Sequence, residues 1–490
     1  MEYLFKDIEE TLYMLEGAYK KLKAHLYFDK TLLFLKKRLA IFESDREYFE
    51  KTLKEIADNL SAENMCFFED LIKSINFRIL PKKFSSIHED TNIIKSYVDH
   101  DEQISKVNFF IDMPVELLIV DFLWTLLVGK ISNENKDNFK YAGATRFKKS
   151  LFLNSDSLLD GIDFQSNRCF QPYYNLYSKW RNGAFKTIEE NHANSSNMLI
   201  CLDLKSFYYS VEFSFNKIKE YLNNDDRLES FEFLTRIIEK IYFEYTKIIV
   251  KYKKGIRNQS NTCIFPIGIT STILLRELYL SKFDHQIVSK LSPKYYSRYV
   301  DDILIVIPED MNCKNVNDVI DKHFISTEII RKSGDSDLWF NGYNNIRIQK
   351  DKINCFSFPQ NKKTLLLDIY AEVINMNSSE ANLLPDIDFL KDSFTVSAYN
   401  VENLDISNKI RDLGFLQNNN YKATRFINSL LRLRKNTYVD KNEMSDYFEQ
   451  IEEFYRGSQS IEYSNNWRAI FELYLICGEK ERARELYKSI

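Results

Sequence analysis

The sequence predicts an α+β fold in which an antiparallel sheet, with helices on one side, lies between two helical regions. The residues from Met198 to Leu202 are all apolar, as in a buried strand, and that strand ends at Asp203. A second apolar run begins after Asp302, and the aromatic and acidic residues just before it predict a tight hairpin. At both ends of the chain, apolar residues recur every three or four positions, which predicts amphipathic helices.

The N-terminal region is predicted to be helical. Its first helix has apolar residues at helical spacing with charges between them: Leu12, Leu15, Ala18, Leu22 and Leu26. Residues 45–60 show the same period. Residues 115–129 are the most apolar stretch of the chain, but the stretch is short and contains Glu116 and Asp121, which favours a buried helix over a membrane span. The Pro-Lys-Lys string at 81–83 predicts a loop.

Three acids of the central region are candidate metal ligands. Asp203 follows its strand directly, and Asp301 and Asp302 lie in the predicted hairpin, in the string Tyr-Val-Asp-Asp. Adjacent carboxylates repel one another unless a divalent cation holds them. A third carboxylate beside them gives the ligand set of a two-metal site for phosphoryl transfer, with two Mg²⁺ ions, or Mn²⁺ in their place. By itself, the Tyr-x-Asp-Asp string is equally consistent with a turn that exposes two solvated acids.

A loop and a helix separate the two acidic segments. Pro266 and Gly268 predict a turn, and small hydroxyl residues then open a helix with apolar residues such as Leu274 and Leu278. A glycine beside a substrate allows close approach of the backbone. An ordinary loop that enters an amphipathic helix explains the same residues. This segment therefore indicates a function only together with the two acidic segments on either side of it.

The order of these segments resembles the palm of reverse transcriptases, which has an aspartate-ended strand, a Pro-x-Gly loop with its helix, and a Tyr-x-Asp-Asp hairpin. Farther along, residues 346–356 resemble the motif that places a lysine, here Lys352, near the triphosphate. Residues 364–370 are similar to the strand that grips the primer. The resemblance covers residues 140–375. It implies a right-hand polymerase with fingers and palm that uses deoxynucleoside triphosphates (dNTPs).

One residue of the middle motif departs from the usual pattern. Reverse transcriptases that copy a template usually carry Pro-Gln-Gly, whereas this chain has Ile267 at the central position. The substitution resembles the bacterial abortive-infection (Abi) and defence-associated reverse transcriptases, and so does the segment 173–185. That resemblance implies protein-primed DNA synthesis, often without a template, in defence against phage. The product would be single-stranded DNA attached to a tyrosine.

The resemblance divides the chain into four regions. They are a helical region at 1–130, fingers at 131–195, a palm at 196–375 with a helical insertion at 213–252, and a helical, repeat-like C-terminal domain at 380–490. Within the fingers, residues 141–153 are expected to form a basic strand pair near the triphosphate. Helices of the C-terminal domain are expected at 384–394, 425–434, 443–455 and 466–488, with Gly478 breaking the last.

The resemblance also assigns roles to residues. Asp203, Asp301 and Asp302 would bind the metal ions, with Asp302 the most dispensable, and the backbone carbonyl of Leu204 would complete a site. The ring of Tyr208 would collide with a ribose 2′-hydroxyl and so select deoxynucleotides. Further contacts to the nucleotide are expected from Gly268, Lys352, Arg146, Lys148 and Arg181. A core aromatic and a surface lysine are the simpler explanations of Tyr208 and Lys352.

The composition limits other functions. With 490 residues and a net charge of −4, the chain lacks the overall basic character of a duplex-binding protein. Basic stretches are local, and the one at 247–257 directly precedes the middle motif. The seven cysteines include no Cys-x-x-Cys pair, which favours reduced thiols in a cytoplasmic protein. The N-terminus has no secretory signal, and no segment predicts a membrane span.

Three other functions fit the sequence less well. A templated, retron-like reverse transcriptase would have a structured non-coding RNA as its partner, but Ile267 and the long helical tail count against it. An inactive polymerase-like scaffold that binds nucleic acid would not need all three aspartates. An RNA-dependent RNA polymerase would usually carry Gly-Asp-Asp in the hairpin. The helical flanks offer apolar faces beyond the needs of the palm, which predicts a homo-oligomer.

Overall fold

The computed structural model describes most of the chain, in ranges separated by gaps: residues 2–29, 32–86, 102–135, 139–191, 194–253, 256, 261–310, 312–333, 337–343, 345–360, 420–436, 441–455, 460–461 and 464–489. The chain divides into two compact units. One consists of Met1–Arg78 with Phe109–Leu367, and the other of Ile79–Asn108 with Asp368–Ile490. The predicted primer-gripping strand at 364–370 and the predicted helix at 384–394 lie outside the described residues.

The first unit is rich in helices. Its α-helices are α1 (Ile8–Phe28), α2 (Leu33–Ser44), α3 (Arg46–Ser61), α4 (Met65–Lys73), α5 (Val115–Glu134), α6 (Tyr173–Asn191), α7 (Phe207–Ser210), α8 (Ile218–Tyr221), α9 (Glu232–Ile249), α10 (Thr270–Leu291) and α11 (Val316–Val319). Short 3₁₀-helices cover Phe215–Lys217, Asp226–Phe231 and Lys350–Lys352, and a π-helix covers Ile320–Ile325.

Local sequence explains where these helices begin. The side chain of Asp7 accepts a hydrogen bond from the N–H of Glu10 at 2.9 Å, and that of Asp45 accepts one from Tyr48 at 2.9 Å. Both aspartates therefore act as N-caps, for α1 and α3. Helix α5 is buried along nearly its whole length, which confirms the buried helix predicted there. In the ranges given above, no helix is long and apolar enough to cross a membrane.

The core of the first unit contains an antiparallel sheet of four strands in the order β4-β5-β3-β9. The strands are β3 (Asn197–Asp203), β4 (Tyr295–Tyr299), β5 (Asp302–Pro308) and β9 (Asn354–Phe358). Helix α6 covers one face: Trp180, Ala184 and Ile188 pack against Leu199 and Val306. A second, three-stranded sheet contains β6 (Ile330–Ser333), β7 (Asp337–Phe340) and β8 (Arg347–Ile348). This mixed α/β architecture with antiparallel sheets is compatible with the predicted core.

Two local predictions differ from the structure. Strands β1 (Asn76–Ser86) and β2 (Glu102–Asp112) form a two-stranded sheet in the N-terminal region, and β1 includes the predicted loop at 81–83. A proline is tolerated there because a two-stranded sheet consists only of edge strands. The predicted strand pair at 141–153 is instead a loop with isolated bridges, Phe147 to Phe170 and Phe152 to Ile162. These bridges join it to residues outside 141–153.

The described part of the second unit is helical near its C-terminus. The helices are Asn420–Asn436, Lys441–Phe454, Trp467–Cys477 and Lys480–Ser489, which agree with the last three predicted there. They share a core that includes Phe426, Phe448 and Tyr474. Gly478 ends the third helix with φ of 82°, in the left-handed conformation typical of a C-terminal glycine.

Candidate active site

The predicted hairpin carries the acids at its tip. Val300 and Asp301 form the two-residue turn between β4 and β5. Strand β3 pairs with β5 in the register that sets Asp203 opposite Asp302. The N–H of Leu204 donates to the carbonyl of Asp301 at 3.1 Å. Strand pairing alone therefore brings all three aspartates to one end of the sheet.

The turn holds Val300 in a conformation that β-branched residues avoid. Its φ is 61°, in the left-handed region where glycine, asparagine or aspartate usually stands in tight hairpin turns. Such a residue costs about 1–3 kcal/mol and persists only where its surroundings hold it. Here both flanking strands are paired, and the bond from Leu204 ties the turn to β3. Strained backbone of this kind clusters at functional sites.

Lys352 is a basic residue that the fold brings to these acids. The N–H of Gln349 donates to the carbonyl of Asp203 at 2.9 Å, which fixes the short 3₁₀-helix carrying Lys352 beside β3. The Nζ of Lys352 donates to Oδ2 of Asp203 at 2.8 Å. This hydrogen bond, together with the charges of Asp203, Asp302 and Asp301, raises the pKa of Lys352. The ammonium thus neutralises part of the negative charge of the site.

The chemistry of the donors fits divalent cations. The aspartates offer only oxygen ligands, the type that Mg²⁺ prefers. Asp203 and Asp301 are half-buried, and Asp302 is exposed. Their carboxylates do not all lie within 4.8 Å of one another, as expected of like charges that repel. Leu204 is buried beside them. The carbonyl of Asp203 accepts from the N–H of Gln349, and the N–H of Lys205 donates to the carbonyl of Arg347 in β8. Neither of these bonds uses the carbonyl oxygen of Leu204.

Tyr208 is held in place by its hydroxyl. It lies in α7, close after Asp203, and is half-buried. Its hydroxyl accepts a hydrogen bond from Nη1 of Arg276 at 2.8 Å. The Nη2 of the same guanidinium donates to Oγ1 of Thr145 at 3.0 Å. Helix α10 therefore fixes the ring of Tyr208 and connects it to the loop that follows α5.

A buried ion network lies behind the hairpin. Arg298 of β4 forms an ion pair with Glu277 at 2.6 Å, and its Nε donates to Asp284 at 2.8 Å. The hydroxyl of Tyr296 donates to Asp284 at 2.6 Å, and Arg276 pairs with Glu277 at 3.0 Å. Burial raises the pKa of Asp284, and the charge of Arg298 opposes that rise. The two arginines balance the two acids and join the support of Tyr208 to the hairpin strand.

The loop of the middle motif is held by β2. The N–H of Ile111 donates to the carbonyl of Ile267 at 2.9 Å, and Phe110 forms a parallel bridge with Ile267. Gly268 has φ of 108°, and a Cβ there would approach Phe110 to 3.3 Å and Leu32 to 3.4 Å. A glycine is therefore required by the backbone and by close packing, whatever its role toward a nucleotide.

Helix α10 begins just after this loop and is capped by Asp121 of α5. Its Oδ2 accepts from the N–H of Thr270 at 2.9 Å, from the hydroxyl of Thr270 at 2.7 Å and from the N–H of Ser271 at 3.2 Å. Burial raises the pKa of Asp121, and these hydrogen bonds oppose the rise. The acid that interrupts the apolar sequence of α5 is thus a cap supplied by a distant helix.

Three other basic residues predicted for the nucleotide lie in the loop after α5 and in α6. Arg146 donates to carbonyls of its own loop, and the half-buried Lys148 lies in the same loop. Arg181 of α6 lies over the ring of Tyr177, which in turn contacts the ring of Tyr299 with centroids 5.0 Å apart. Arg181 is therefore one ring away from the hairpin, whereas the hydrogen bonds of Arg146 are local.

The arrangement of these segments agrees with a known family. Residues 163–332 match the family model for reverse transcriptase (RNA-dependent DNA polymerase). The match covers about a third of the chain and includes the Asp203 strand, the Pro-Ile-Gly loop and the Asp301-Asp302 hairpin, while Lys352 lies beyond it. This match indicates nucleic-acid polymerase activity. A comparison with curated proteins found no match.

The sequence did not identify the buried network. Arg276, Glu277 and Asp284 belong to a helix that the sequence predicts to be amphipathic, but all three are buried. A usable signal was present: Glu277 and Asp284 stand seven residues apart, hence on one face of α10, among apolar residues on several sides. Such a helix is buried all round, and its charges then need partners.

Proposed function

We propose that this chain is a DNA polymerase that adds deoxynucleotides by two-metal phosphoryl transfer at Asp203, Asp301 and Asp302. The observation that carries the proposal is the β3–β5 register, which sets Asp203 opposite Asp302 beside the Asp301 turn. Bound there, divalent ions would lower the pKa of the attacking hydroxyl and neutralise phosphate charge. The reverse transcriptase match over 163–332 supports the same reaction class.

The remaining residues act on the nucleotide. Lys352, whose pKa Asp203 raises, attracts the triphosphate and neutralises the leaving pyrophosphate. Tyr208, fixed by Arg276, presents its ring to the sugar and rejects a ribose 2′-hydroxyl. Gly268 keeps the backbone of the middle motif free of a side chain, and Arg181 is available to a phosphate.

We assign the chain to the protein-primed, template-independent synthesis typical of Abi-type reverse transcriptases in phage defence. Two features support this assignment. Ile267 stands where template-copying enzymes usually carry glutamine, so the polar contact near the template base is lost. The net charge of −4 also argues against tight binding of a long template duplex, because phosphate neutralisation supplies much of such affinity. The primer would be a tyrosine hydroxyl, and the product single-stranded DNA attached to it.

The domain layout belongs to the same proposal. It comprises helical region 1–130, fingers 131–195, palm 196–375 and a repeat-like domain 380–490, in a cytoplasmic homo-oligomer. The two-stranded sheet of β1 and β2 is an addition to the N-terminal region. Through the pairing of Ile111 with Ile267, this region supports the palm directly.

The test is incorporation of each labelled dNTP by the purified chain with Mg²⁺ and no added nucleic acid. The protein is treated with ribonuclease and then separated on a denaturing protein gel. We expect label that migrates with the protein and is absent from Asp301→Asn. Asp70→Asn, which changes an exposed aspartate of α4, serves as the matched control and should label normally.

Two other results are informative. Label that requires a primed RNA template would overturn the untemplated mechanism and favour a templated, retron-like enzyme. That result would agree with the description of the family model that residues 163–332 match, an RNA-dependent DNA polymerase. No label under either condition, from a folded protein, would contradict polymerase activity and favour an inactive scaffold.

A further inference from the structure

A second group of ligand side chains lies at the other end of β5. This strand runs from Asp302 at the hairpin to Pro308, about 20 Å at the usual rise per residue. The loop after it contains Asp310 and Cys313, and the carboxylate of Glu309 at its start accepts a hydrogen bond from the hydroxyl of Ser357 on β9. The group is therefore separate from the three catalytic aspartates.

Asp310, Cys313 and His323 offer three different ligand types in one place. One ligand atom from each lies within 4.8 Å of those of the other two. All three side chains are half-buried. A carboxylate, a thiolate and an imidazole are ligands that Zn²⁺ accepts together, usually in a tetrahedral arrangement. Their spacing along the chain, Asp-x-x-Cys followed ten residues later by His, brings a loop and a helix to one point.

Two observations about His323 point to a ligand. Its Nε2 is buried and has no hydrogen-bond partner among the described residues, which is costly for a polar ring atom. It also lies in the π-helix Ile320–Ile325. Such helices are rare and frequently occur at functional sites. Burial lowers the pKa of His323, and the neutral imidazole is the form that binds metal ions.

Asp310 already has partners, which sets a condition on metal binding. One carboxylate oxygen accepts the N–H of Asn312 at 3.0 Å, and the other is paired with the ammonium of Lys322. The side chain of Lys322 is 47% exposed, so its ammonium can leave for solvent at little cost. A metal ion that binds Asp310 must therefore displace this ammonium, which competes for the same carboxylate.

We propose that Asp310, Cys313 and His323 form a binding site for a Zn²⁺-type divalent ion. The ion displaces the ammonium of Lys322 from Asp310 and binds the sulfur of Cys313 as a thiolate. The thiol proton of Cys313 passes to solvent. Three protein ligands leave one coordination position for water. The bound ion ties the loop after β5 to the π-helix. The proposal does not depend on polymerase activity.

The test is titration of the metal-free, full-length chain with Co²⁺, which reports a thiolate ligand through its charge-transfer absorption. We expect one Co²⁺ per chain with that absorption, displaced by Zn²⁺, and a higher melting temperature with Zn²⁺. Cys313→Ser should lose the absorption. Cys66→Ser, which changes an exposed cysteine of α4, is the matched control and should keep it.

Two further variants test the other ligands. His323→Gln should weaken binding by at least about 10-fold. Lys322→Met should tighten it several-fold, because the competing ammonium is gone; unchanged affinity there would overturn Asp310 as a ligand. Absence of the charge-transfer absorption in the wild type, or its survival in Cys313→Ser, would overturn the site. The wild-type titration decides the question even where a variant fails to fold.

Discussion

The tip of the hairpin and the network behind it use similar side chains in opposite ways. At the tip, the charges of Asp203, Asp301 and Asp302 act on Lys352, and the three acids lie near solvent. Behind it, Arg298 and its partners are fully buried with their charges balanced. Acids near solvent can recruit cations, whereas a buried balanced network can only hold structure. The surroundings decide the role, not the residue type.

The strongest test of this comparison is Asp301→Asn. We expect nucleotide incorporation to fall by more than about 10³-fold, equivalent to about 4 kcal/mol, because a metal-binding carboxylate is lost. The fold should persist, since backbone hydrogen bonds hold the turn. Incorporation and circular dichroism measured on the same preparation check both parts. Normal incorporation by the variant would remove Asp301 from the site.

Arg298→Met should show the reverse pattern, with the primary effect on stability. Removal of Arg298 leaves Arg276 as the remaining arginine of the network beside Glu277 and Asp284, so the buried network carries excess negative charge, and we expect a loss of about 3–5 kcal/mol in unfolding free energy. The control is Arg236→Met, because the pair of Arg236 with Glu63 at 3.4 Å is exposed and should contribute less than about 1 kcal/mol. Equal losses in the two variants, measured by urea unfolding, would contradict the distinction between buried and exposed charge.

Two variants of Tyr208 distinguish the role of its ring from the role of the hydrogen bond that holds the ring in place. Tyr208→Ala should admit ribonucleotides, lowering the preference for deoxynucleotides by about 10–100-fold, because the blocking ring is gone. Tyr208→Phe keeps the ring and loses only the bond from Arg276, so its sugar preference should stay within a few-fold of wild type. Competition between labelled dNTPs and ribonucleotides measures this. Unchanged selectivity in the alanine variant would refute the assignment.

The smallest effect is expected from Lys352→Met. Without the ammonium, Asp203 is free for a cation, so the Mg²⁺ concentration for half-maximal activity should fall a few-fold. The maximal rate should also fall, because the leaving pyrophosphate loses a neutralising charge. Since the pKa of Lys352 is raised, the ion pair with Asp203 persists below the ordinary lysine pKa and is lost as pH rises through the raised value. Lys350→Met, in the same 3₁₀-helix, is the control; identical Mg²⁺ dependence in the two variants would argue against the competition.

The sequence predicted the hairpin, the aspartate-ended strand and most helices because each follows from local periodicity and turn chemistry. It could not predict that Asp121 caps α10, because that bond joins residues 149 positions apart. The partners of Arg298 were hidden for the same reason. The loop at 141–153 was predicted as strands from its local pattern, yet its pairing partners are distant, such as Arg298 for Ala142. Local secondary structure can be predicted from a sequence, whereas polar pairs between distant residues can be identified only in the folded structure.

The most direct test of the central claim is binding of Mn²⁺, a paramagnetic substitute for Mg²⁺, followed by electron paramagnetic resonance. We expect the wild type to bind Mn²⁺ and the double variant Asp203→Asn with Asp301→Asn to lose that binding. Asp310→Asn should retain it, because Mn²⁺ prefers oxygen ligands and Asp203, Asp301 and Asp302 are intact. Equal Mn²⁺ binding by the wild type and the double variant would contradict the assignment of these aspartates as the metal site.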